Sequence, residues 1–403
     1  MSERVVITGI GVVSPLGADP AALHAALCAG TSGLRPSAEP GLSDSMVGSI
    51  PDFDAAAYLG DGNLRPLDRT SRLATSAATL ALANAGLDTA EESERRGAAG
   101  LALGTMFGSV RTIAEFDRRA LTAGPSYVSP LDFANSVINA AAGHAAIWHG
   151  LRGANATIAG GSSAGAQALG YAYDQLRGGH FDALLAGGAE ELSFEALLGF
   201  SRLRTLSTQP RPLARDRDGG ALGEGAALLV LERAGSAAAR NAIVLGEILG
   251  HGLGFGPGRD SEIALAMALA DAIGEALAAA GLGPEAIDLV STGASGDPLL
   301  DAAEARALGL ALGTRSGGVP VMAVKGQLGE SLGAAAALQT VALMGAIRHG
   351  QIPGFPGADA IDPDLGLSAA TSTRPLAARH GLVTALDADG QAAALVVTAR
   401  RAA

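Results

Sequence analysis

A turn of four very small residues constrains the fold of this chain more than any other stretch. Gly160–Ser163 follows the apolar, β-branched pair Thr157 and Ile158 and precedes a helix-forming run that opens at Ala164. A strand that turns this sharply into a helix lifts one side chain, here Ser162, over the positive N-terminal end of the helix. The stretch therefore predicts one of two things: a turn that only permits close packing, or a turn that presents a nucleophile.

Strand-like and helix-like segments alternate along the rest of the chain. In the first half we predict strands at Val5–Thr8, Gly100–Leu103 and Ala183–Ala186, and helices from Pro20, at Ser71–Ala85, Thr112–Leu121 and Ala134–Trp148, and from Ala164 to Leu176, with residues 31–66 as loop. In the second half we predict strands at Ile243–Leu249, Asp288–Ser291, Pro320–Val324, Leu382–Leu386 and Ala393–Thr398, and helices at Glu262–Ala279, Asp301–Leu308 and Ser331–Ile347. This alternation predicts a parallel or mixed sheet covered by helices on both faces.

The order of elements in the second half echoes that in the first. The connector Arg233–Asn241 lies between them, so we predict two halves at residues 1–241 and 242–403. A chain of 403 residues with 48% hydrophobic side chains can bury a large core. Because glycine accounts for 57 residues and aromatic residues for only 3%, we expect that core to depend on close backbone packing.

Charge and cysteine content exclude several classes of protein. A net charge of −12 argues against a protein that binds nucleic acid or anionic membranes. The single cysteine, Cys28, excludes a disulfide framework and a cysteine zinc site. No pattern predicts a metal or another cofactor. The N-terminus does not read as a signal peptide, and no apolar run of membrane-spanning length escapes interruption, so we expect a soluble, cytoplasmic protein.

Five motifs together resemble the ketoacyl synthase family, whose members elongate fatty acids and polyketides. They are VVITGIGVVSPLG (5–17), GANATIAGGSSAGAQAL (153–169), RPLARDRDGGALGEGAALLVLE (211–232), STGASGDPLLDAAEARAL (291–308) and VKGQLGESLGAAAA (324–337). They follow the family's order over nearly the whole chain, and the segment that ends in GEGA is the most specific. The resemblance implies the thiolase-type fold, a duplicated five-layer αβαβα arrangement that is normally dimeric.

The departures from the family concern its catalytic residues. Active members use a cysteine and two histidines, and the resemblance places Ser162, Gly293 and Glu330 at those three positions. The glycine-rich C-terminal loop that normally lies beside the cysteine is also altered, and reads ALDADGQAAALVV at 385–397. The family pattern implies a structural role for four further residues, with a salt bridge from the acidic pair to the lysine: Lys325, Asp301, Glu304 and Glu224.

These substitutions predict a chain that does not condense acyl groups. Serine is a poor nucleophile without a base, and Gly293 offers no side-chain donor to an enolate. An ionised Glu330 about 4 Å from that enolate would cost about 4 kcal/mol at an effective dielectric constant near 20. Loss of one oxyanion donor alone lowers rates by roughly 10²–10³. Two alternatives remain: a protonated Glu330 that donates a hydrogen bond, or Ser162 acting as an acyltransferase or hydrolase nucleophile on acyl-carrier-protein substrates, with Glu330 as its base.

Other polar residues have structural interpretations. We expect His144, His149 and His180 to be surface or capping histidines, and Glu190 with Glu191 to begin a helix rather than to bind a metal. A local basic cluster contains Arg202, Arg204, Arg211, Arg215 and Arg217. This cluster would contact an acidic carrier protein or pair with acids of its own chain.

A ketoacyl synthase relative without the three catalytic residues resembles the chain length factor, the inactive β-subunit of type II polyketide ketosynthases. Many of these carry glutamine at the cysteine position, so Ser162 leaves room for partners from polyene and aryl-polyene systems. The resemblance implies a heterodimer with a cysteine-bearing ketosynthase α-subunit, through which an acyl carrier protein is reached. We expect the interface at the helices after Gly108 and around Asn135–Trp148. Its tunnel-wall candidates are Val110, Ile113 and Phe116. A third hypothesis is a homodimeric binding protein.

Overall fold

The computed structural model describes residues 3–401, and its strands and helices alternate as the sequence predicts. The strands are β1 (Val5–Val13), β2 (Arg35–Pro36), β3 (Met46–Gly48), β4 (Gly100–Thr105), β5 (Asn155–Ala159), β6 (Ala183–Glu190), β7 (Leu222–Gly223), β8 (Gly225–Arg233), β9 (Gly246–Phe255), β10 (Leu289–Ser291), β11 (Pro320–Met322), β12 (Gln351–Ile352), β13 (Ser368–Ala369), β14 (Arg374–Pro375), β15 (His380–Leu386) and β16 (Gln391–Ala399). The helices are α1 (Pro20–Cys28), α2 (Ala56–Leu59), α3 (Arg69–Ala85), α4 (Ser93–Ala98), α5 (Val110–Ala123), α6 (Pro130–Ala134), α7 (Ala140–His149), α8 (Ala164–Arg177), α9 (Phe194–Arg202), α10 (Ala234–Ala239), α11 (Glu262–Ala280), α12 (Pro298–Leu312), α13 (Lys325–Leu328) and α14 (Ala335–His349).

The main sheet contains the same five-strand unit twice. Outward from the centre, the first unit runs β1-β8-β6-β4-β5 and the second runs β9-β16-β15-β10-β11. Within each unit the chain order of these strands is first, fifth, fourth, second, third. The first two contacts are antiparallel and the last two are parallel in both units. Strands β1 and β9 join the units in antiparallel pairing.

The two outer edges of this sheet differ. Beyond β11, the two-residue strand β13 adds in parallel. Within residues 3–401, no strand adds beyond β5. One edge is therefore finished by a very short strand, whereas the other presents the unpaired backbone groups of β5.

Buried side chains divide the molecule into five layers. A central apolar cluster joins α8 and α14 to the inner faces of both five-strand units. A second cluster packs α11 and α12 on the outer face of the second unit, and a third packs α3 and α7 on the outer face of the first. The αβαβα arrangement predicted from the sequence is therefore confirmed.

Glycine allows these layers to approach closely, as the composition led us to expect. A Cβ atom at Gly11 of β1 would lie 2.0 Å from the carbonyl oxygen of Ala77 in α3. A Cβ atom at Gly188 of β6 would lie 2.0 Å from the carbonyl oxygen of Gly333, just before α14. No side chain fits at either position without moving the backbone.

Some predicted boundaries were wrong. The helix expected over Ala134–Trp148 is broken, because α6 ends at Ala134 and α7 begins at Ala140. In the break, the Asn135 side chain bonds the Pro66 carbonyl and His144 instead of continuing a helix. Residues 31–66 are also more structured than expected, since they contain β2, β3 and α2.

One helix, α11, has the length and apolar composition of a membrane span. It packs along β9, β16 and α12. The side chains that it buries there are Leu265, Ala266, Ala268, Leu269, Ala272, Ile273, Ala276 and Leu277. One face of α11 is thus covered by the sheet and α12, and length and composition alone are weak support for a membrane span.

Candidate functional site

The small-residue turn has the sharp geometry that its sequence predicts. After β5, Gly161–Ser163 forms one turn of 3-10 helix that continues into α8. Gly161 adopts a φ of 58°, a conformation that favours glycine. A Cβ atom there would also lie 2.2 Å from Asp387 Oδ2. The turn thus brings Ser162 against a residue more than two hundred positions away in the chain.

Both polar groups of Ser162 bind the Asp387 carboxylate. The backbone N–H of Ser162 donates to Asp387 Oδ2 at 2.7 Å, and its hydroxyl donates to the same oxygen at 2.9 Å. The other oxygen, Oδ1, accepts the backbone N–H of Asp389 at 2.9 Å. The two linked residues are only 7% and 4% exposed. Sequence reasoning identified the altered 385–397 loop but assigned Asp387 no role.

Glu330 has two partners, and neither is Ser162. Its Oε2 lies 2.5 Å from Lys325 Nζ, in an ion pair where the lysine side chain is only 3% exposed. Its Oε1 accepts the backbone N–H of Leu332 at 2.9 Å, at the start of the turn that leads into α14. Glu330 is therefore an ion-pair partner and a helix-capping acceptor, and these contacts do not place it as a base for Ser162.

The acidic pair on α12 binds backbone amides rather than the lysine. Glu304 accepts the N–H of Gly293 at 2.8 Å, and it also bonds the Thr384 hydroxyl. Asp301 accepts the N–H groups of Leu213, Ser295 and Gly296. Burial raises the pKa of Glu304 to about 7 and that of Asp301 to about 6.

The salt bridge expected from that pair to Lys325 was therefore wrong, because the lysine pairs with Glu330 instead. Glu224, the acid of the GEGA segment, is held by two bonds from Arg69 and by the N–H of Ile50. These contacts connect the residue just before β8 to α3 and to the loop before α2.

A mostly apolar cavity of about 470 Å³ lies beside the turn. Its polar side chains include Ser162, Glu330, Asp387 and the ion pair Arg259–Asp297. Its apolar walls include Met106, Phe107, Val110, Phe200, Leu203, Leu222, Leu300 and Leu332. Among the described residues that line it there is no histidine. The cavity is the size of a small-molecule site, but no imidazole is available in it for proton transfer.

The three tunnel-wall candidates have different environments. Val110 lines the cavity, at the start of α5. Ile113 and Phe116 do not line it and are half-buried. The Phe116 ring contacts that of Phe133, with 5.8 Å between their centroids. Only Val110 therefore borders the cavity of this chain.

The interpretation of Glu190 and Glu191 as a helix start was wrong. Glu190 ends β6, and α9 begins later, at Phe194. The fully buried Glu190 carboxylate accepts the N–H groups of Met106, Phe107 and Gly333 and the hydroxyl of Thr105, and burial raises its pKa to about 7. Glu191 accepts only the N–H of Arg111 among the described residues, and burial raises its pKa to about 8.

The basic cluster divides into two groups. Three of its arginines pair with acids of the same chain: Arg211 with Asp216, and Arg215 and Arg217 with Asp362. Arg202 and Arg204 are exposed.

The histidines named in the sequence analysis lie outside the cavity. His144 bonds Asn135 and His149 bonds the Thr75 carbonyl, while His180 is exposed. No group of three metal-ligating side chains occurs in residues 3–401.

Five exposed apolar side chains lie on α6, on α7 and between these two helices, and α7 packs beside the open edge strand β5. The Asn155 side chain of β5 donates a hydrogen bond to the Ala142 carbonyl of α7. We call β5 and these five exposed side chains the β5 face: Leu131, Phe133, Val137, Ile138 and Ile147. An open sheet edge, together with exposed apolar side chains on neighbouring segments, favours an interaction surface here.

Comparison with known proteins gives consistent matches along the chain. The family model described as Beta-ketoacyl synthase, N-terminal domain, matches residues 2–237, and the C-terminal domain model matches residues 245–359. A 3-oxoacyl-(acyl-carrier-protein) synthase 2 of Coxiella burnetii is 34% identical over 381 residues, which cover 90% of each chain.

Solved structures match over the full length. The ishigamide ketosynthase/chain length factor is similar with a TM-score of 0.92 and 30% identity, over 99% of this chain and 100% of that one. A beta-ketoacyl synthase from Burkholderia phymatum has a TM-score of 0.90 and 29% identity, with the same coverage. The relatives thus include synthases and a protein described as a ketosynthase/chain length factor.

Proposed function

The chain belongs to the beta-ketoacyl synthase family, and on that premise we propose that it is a non-condensing chain length factor. In this role it forms a heterodimer with an active, cysteine-bearing ketosynthase and shapes the tunnel in which a polyketide or polyene chain grows. An acyl carrier protein reaches the complex through the partner. We further propose that residues 1–241 and 242–403 are its two duplicated halves and that it works in the cytoplasm.

The observation that carries this proposal is the chemistry of the Ser162 turn. A condensing site needs an activated nucleophile and donors for a developing oxyanion. Ser162 has no imidazole beside it in the described cavity, Gly293 has no side chain to donate, and Glu330 is paired with Lys325. The fold and an apolar cavity remain, whereas the groups that would drive condensation do not.

The β5 face supports the partner. An open sheet edge flanked by exposed apolar side chains is suited to pairing with another sheet. The ishigamide relative is described as a ketosynthase/chain length factor, and the match covers 99% of this chain and 100% of that one. A second copy of this chain would satisfy the same surface, so mass measurement must separate a heterodimer from a homodimer.

Co-expression with a cysteine-bearing ketosynthase tests the proposal. We expect the two chains to copurify at a one-to-one ratio and to make product from malonyl-carrier protein, while this chain alone makes none. Ser162→Ala should leave product formation by the complex unchanged. Condensation by the purified chain alone, or a symmetric homodimer that ignores the ketosynthase, would contradict the proposal.

The tunnel role has its own test in the complex. Val110→Phe adds a ring at the cavity wall and should shorten the product by one or more extension units. Leu121→Phe adds the same ring at an exposed position of the same helix, outside the cavity, so it is the matched control and should leave product length unchanged. Equal product lengths from both variants and the wild-type complex would argue against a tunnel wall at Val110.

A second candidate is an acyltransferase or hydrolase that uses Ser162. It is favoured by one contact, the hydrogen bond from the Ser162 hydroxyl to a carboxylate, although that carboxylate is Asp387 and not Glu330. Acyl labelling of the purified chain that disappears in Ser162→Ala would support this candidate. A chain that takes no label supports the non-condensing partner.

A further inference from the structure

Asp387 occupies the position at which the amide of Ser162 would otherwise receive a substrate oxygen. An oxyanion-hole donor acts on an oxygen 2.7–3.1 Å from its nitrogen. Asp387 Oδ2 is 2.7 Å from Ser162 N. We propose that Asp387 is an internal anion that fills this amide site and prevents a thioester carbonyl from binding there. The inference rests on the proposed function, since it explains why Ser162 accepts no acyl group although the cavity remains.

Asp387 Oδ2 could act as a base for the Ser162 hydroxyl only while it still occupies the Ser162 amide. Oδ2 accepts the Ser162 hydroxyl as well as its amide, so a proton taken from the hydroxyl would leave that oxygen still on the amide. A thioester carbonyl would then approach serine with no amide free to stabilise its developing charge. The contact that favours a reactive serine therefore removes what an acyl transfer requires.

Several contacts fix the carboxylate in place. Gly161 leaves no Cβ where Asp387 Oδ2 lies. The Asp389 amide holds the other carboxylate oxygen at 2.9 Å. The Asp387 backbone closes its own turn, since its N–H donates to Gln391 O and its carbonyl accepts from Gly390 N. Asp387 is 4% exposed, so this is a built contact of the turn and not a surface side chain resting on it.

The test uses Ser162→Cys as a reporter in the full-length chain, free of any partner. Cysteine supplies the nucleophile that serine lacks, so acyl transfer from a hexanoyl thioester becomes measurable. In that step the sulphur of the introduced cysteine forms a bond to the acyl carbon, the thioester carbon–sulphur bond breaks, and the released thiol takes the proton. Peptide mapping by mass spectrometry counts label on this cysteine separately from Cys28.

Three second-site variants separate occupancy from charge. S162C/D387A vacates the amide and should take the acyl group at least 100-fold faster than S162C, as expected when an oxyanion donor is regained. S162C/D387N keeps an oxygen on the amide without the charge, so it should gain less than a tenth of that increase. S162C/D389A removes a neighbouring cavity carboxylate and should stay within about threefold of S162C.

Alkylation by iodoacetamide reports thiol reactivity without a tetrahedral oxyanion. Because a neighbouring carboxylate disfavours the thiolate, both D387A and D387N should accelerate it in the S162C background. Equal acylation of S162C and S162C/D387A, or equal gains from D387N and D387A, would overturn the inference. These outcomes are independent of partner binding, so failure of the proposed heterodimer is seen separately, in the copurification experiment.

Discussion

Two carboxylates at matching places in the duplicated sheet serve the two halves differently. Glu190 ends β6, and Asp387 directly follows β15, which is the corresponding strand of the second unit. Each reaches across to the start of the other half's central helix. Glu190 accepts the amide of Gly333 before α14, and Asp387 accepts the amide of Ser162 before α8.

The difference lies in what surrounds each carboxylate. Glu190 is fully buried and accepts four donors, whereas Asp387 borders the cavity. The same helix-capping contact is therefore part of the core in one half and part of a ligand-sized cavity wall in the other. A duplicated fold can keep one copy of a contact for stability while the other copy determines what the cavity binds.

The largest expected effect is the loss of stability when Glu190, the fully buried carboxylate of the two, is replaced. Glu190→Ala leaves the Thr105 hydroxyl and the amides of Met106, Phe107 and Gly333 without their acceptor, so we expect it to lower the free energy of unfolding by about 3–5 kcal/mol. Asp387→Ala should cost only about 1–2 kcal/mol, because water can enter the cavity and solvate the freed amide. Urea denaturation of both variants measures the difference. Equal losses would show that the two contacts are alike.

The next effect compares the outer surfaces of the two halves. Val137→Asp places a charge on the β5 face and should weaken binding of the ketosynthase partner about 100-fold, or ~2.7 kcal/mol. Met267→Asp, on α11 of the second half, is a control of matched exposure, 54% against 52% for Val137. Titration of each variant against the partner gives both dissociation constants. Equal weakening of partner binding by Met267→Asp would argue against an interface at the β5 face.

The smallest effect concerns buried acids in each half. Burial raises the pKa of Glu191 to about 8 and that of Glu304 to about 7, so the folded chain holds protons that the unfolded chain has lost. Their contribution to stability is complete below about pH 4 and falls as pH rises through those folded-state values. Glu191→Gln should flatten this decline up to about pH 8, and Glu304→Gln only to about pH 7. Each slope change is at most about 1.4 kcal/mol per pH unit.

Unfolding curves between pH 5 and 9 test this expectation. The exposed Glu94→Gln is the control and should leave the slope unchanged. A free energy of unfolding that rises with pH in the wild-type chain, or a pH slope that neither buried substitution alters, would contradict the prediction.

Much of the architecture could be predicted because short stretches of sequence determine it. The turn at Gly160–Ser163 and the start of α1 at Pro20, where the Asp19 side chain accepts the N–H of Ala22, are both set by neighbouring residues. The break between α6 and α7 was missed because it depends on Asn135 finding the Pro66 carbonyl, which no local pattern encodes. The strand predicted at Val5–Thr8 is also longer, because β1 continues through Gly9 and Gly11 to Val13. These two glycines do not end the strand; they let it pack closely on α3.

The candidate site was predicted only in part, for the same reason. Family motifs located Ser162, Gly293 and Glu330, but contacts between distant segments decide what each one does. Lys325 forms its ion pair with Glu330 and not with the acids on α12. The Ser162 amide donates to Asp387, which lies more than two hundred residues away in the sequence. Nothing in the spacing of the sequence states which carboxylate reaches which donor.

The unequal ends of the main sheet limit how many copies can assemble. Since β13 is only two residues long, it offers few backbone groups to a strand of another molecule, whereas the free side of β5 can pair with one such strand. Once that single docking event has taken place, no second long sheet edge remains among residues 3–401 with which to extend the array. Growth by sheet addition would therefore stop at a pair, which protects an apolar, glycine-rich protein from forming fibres.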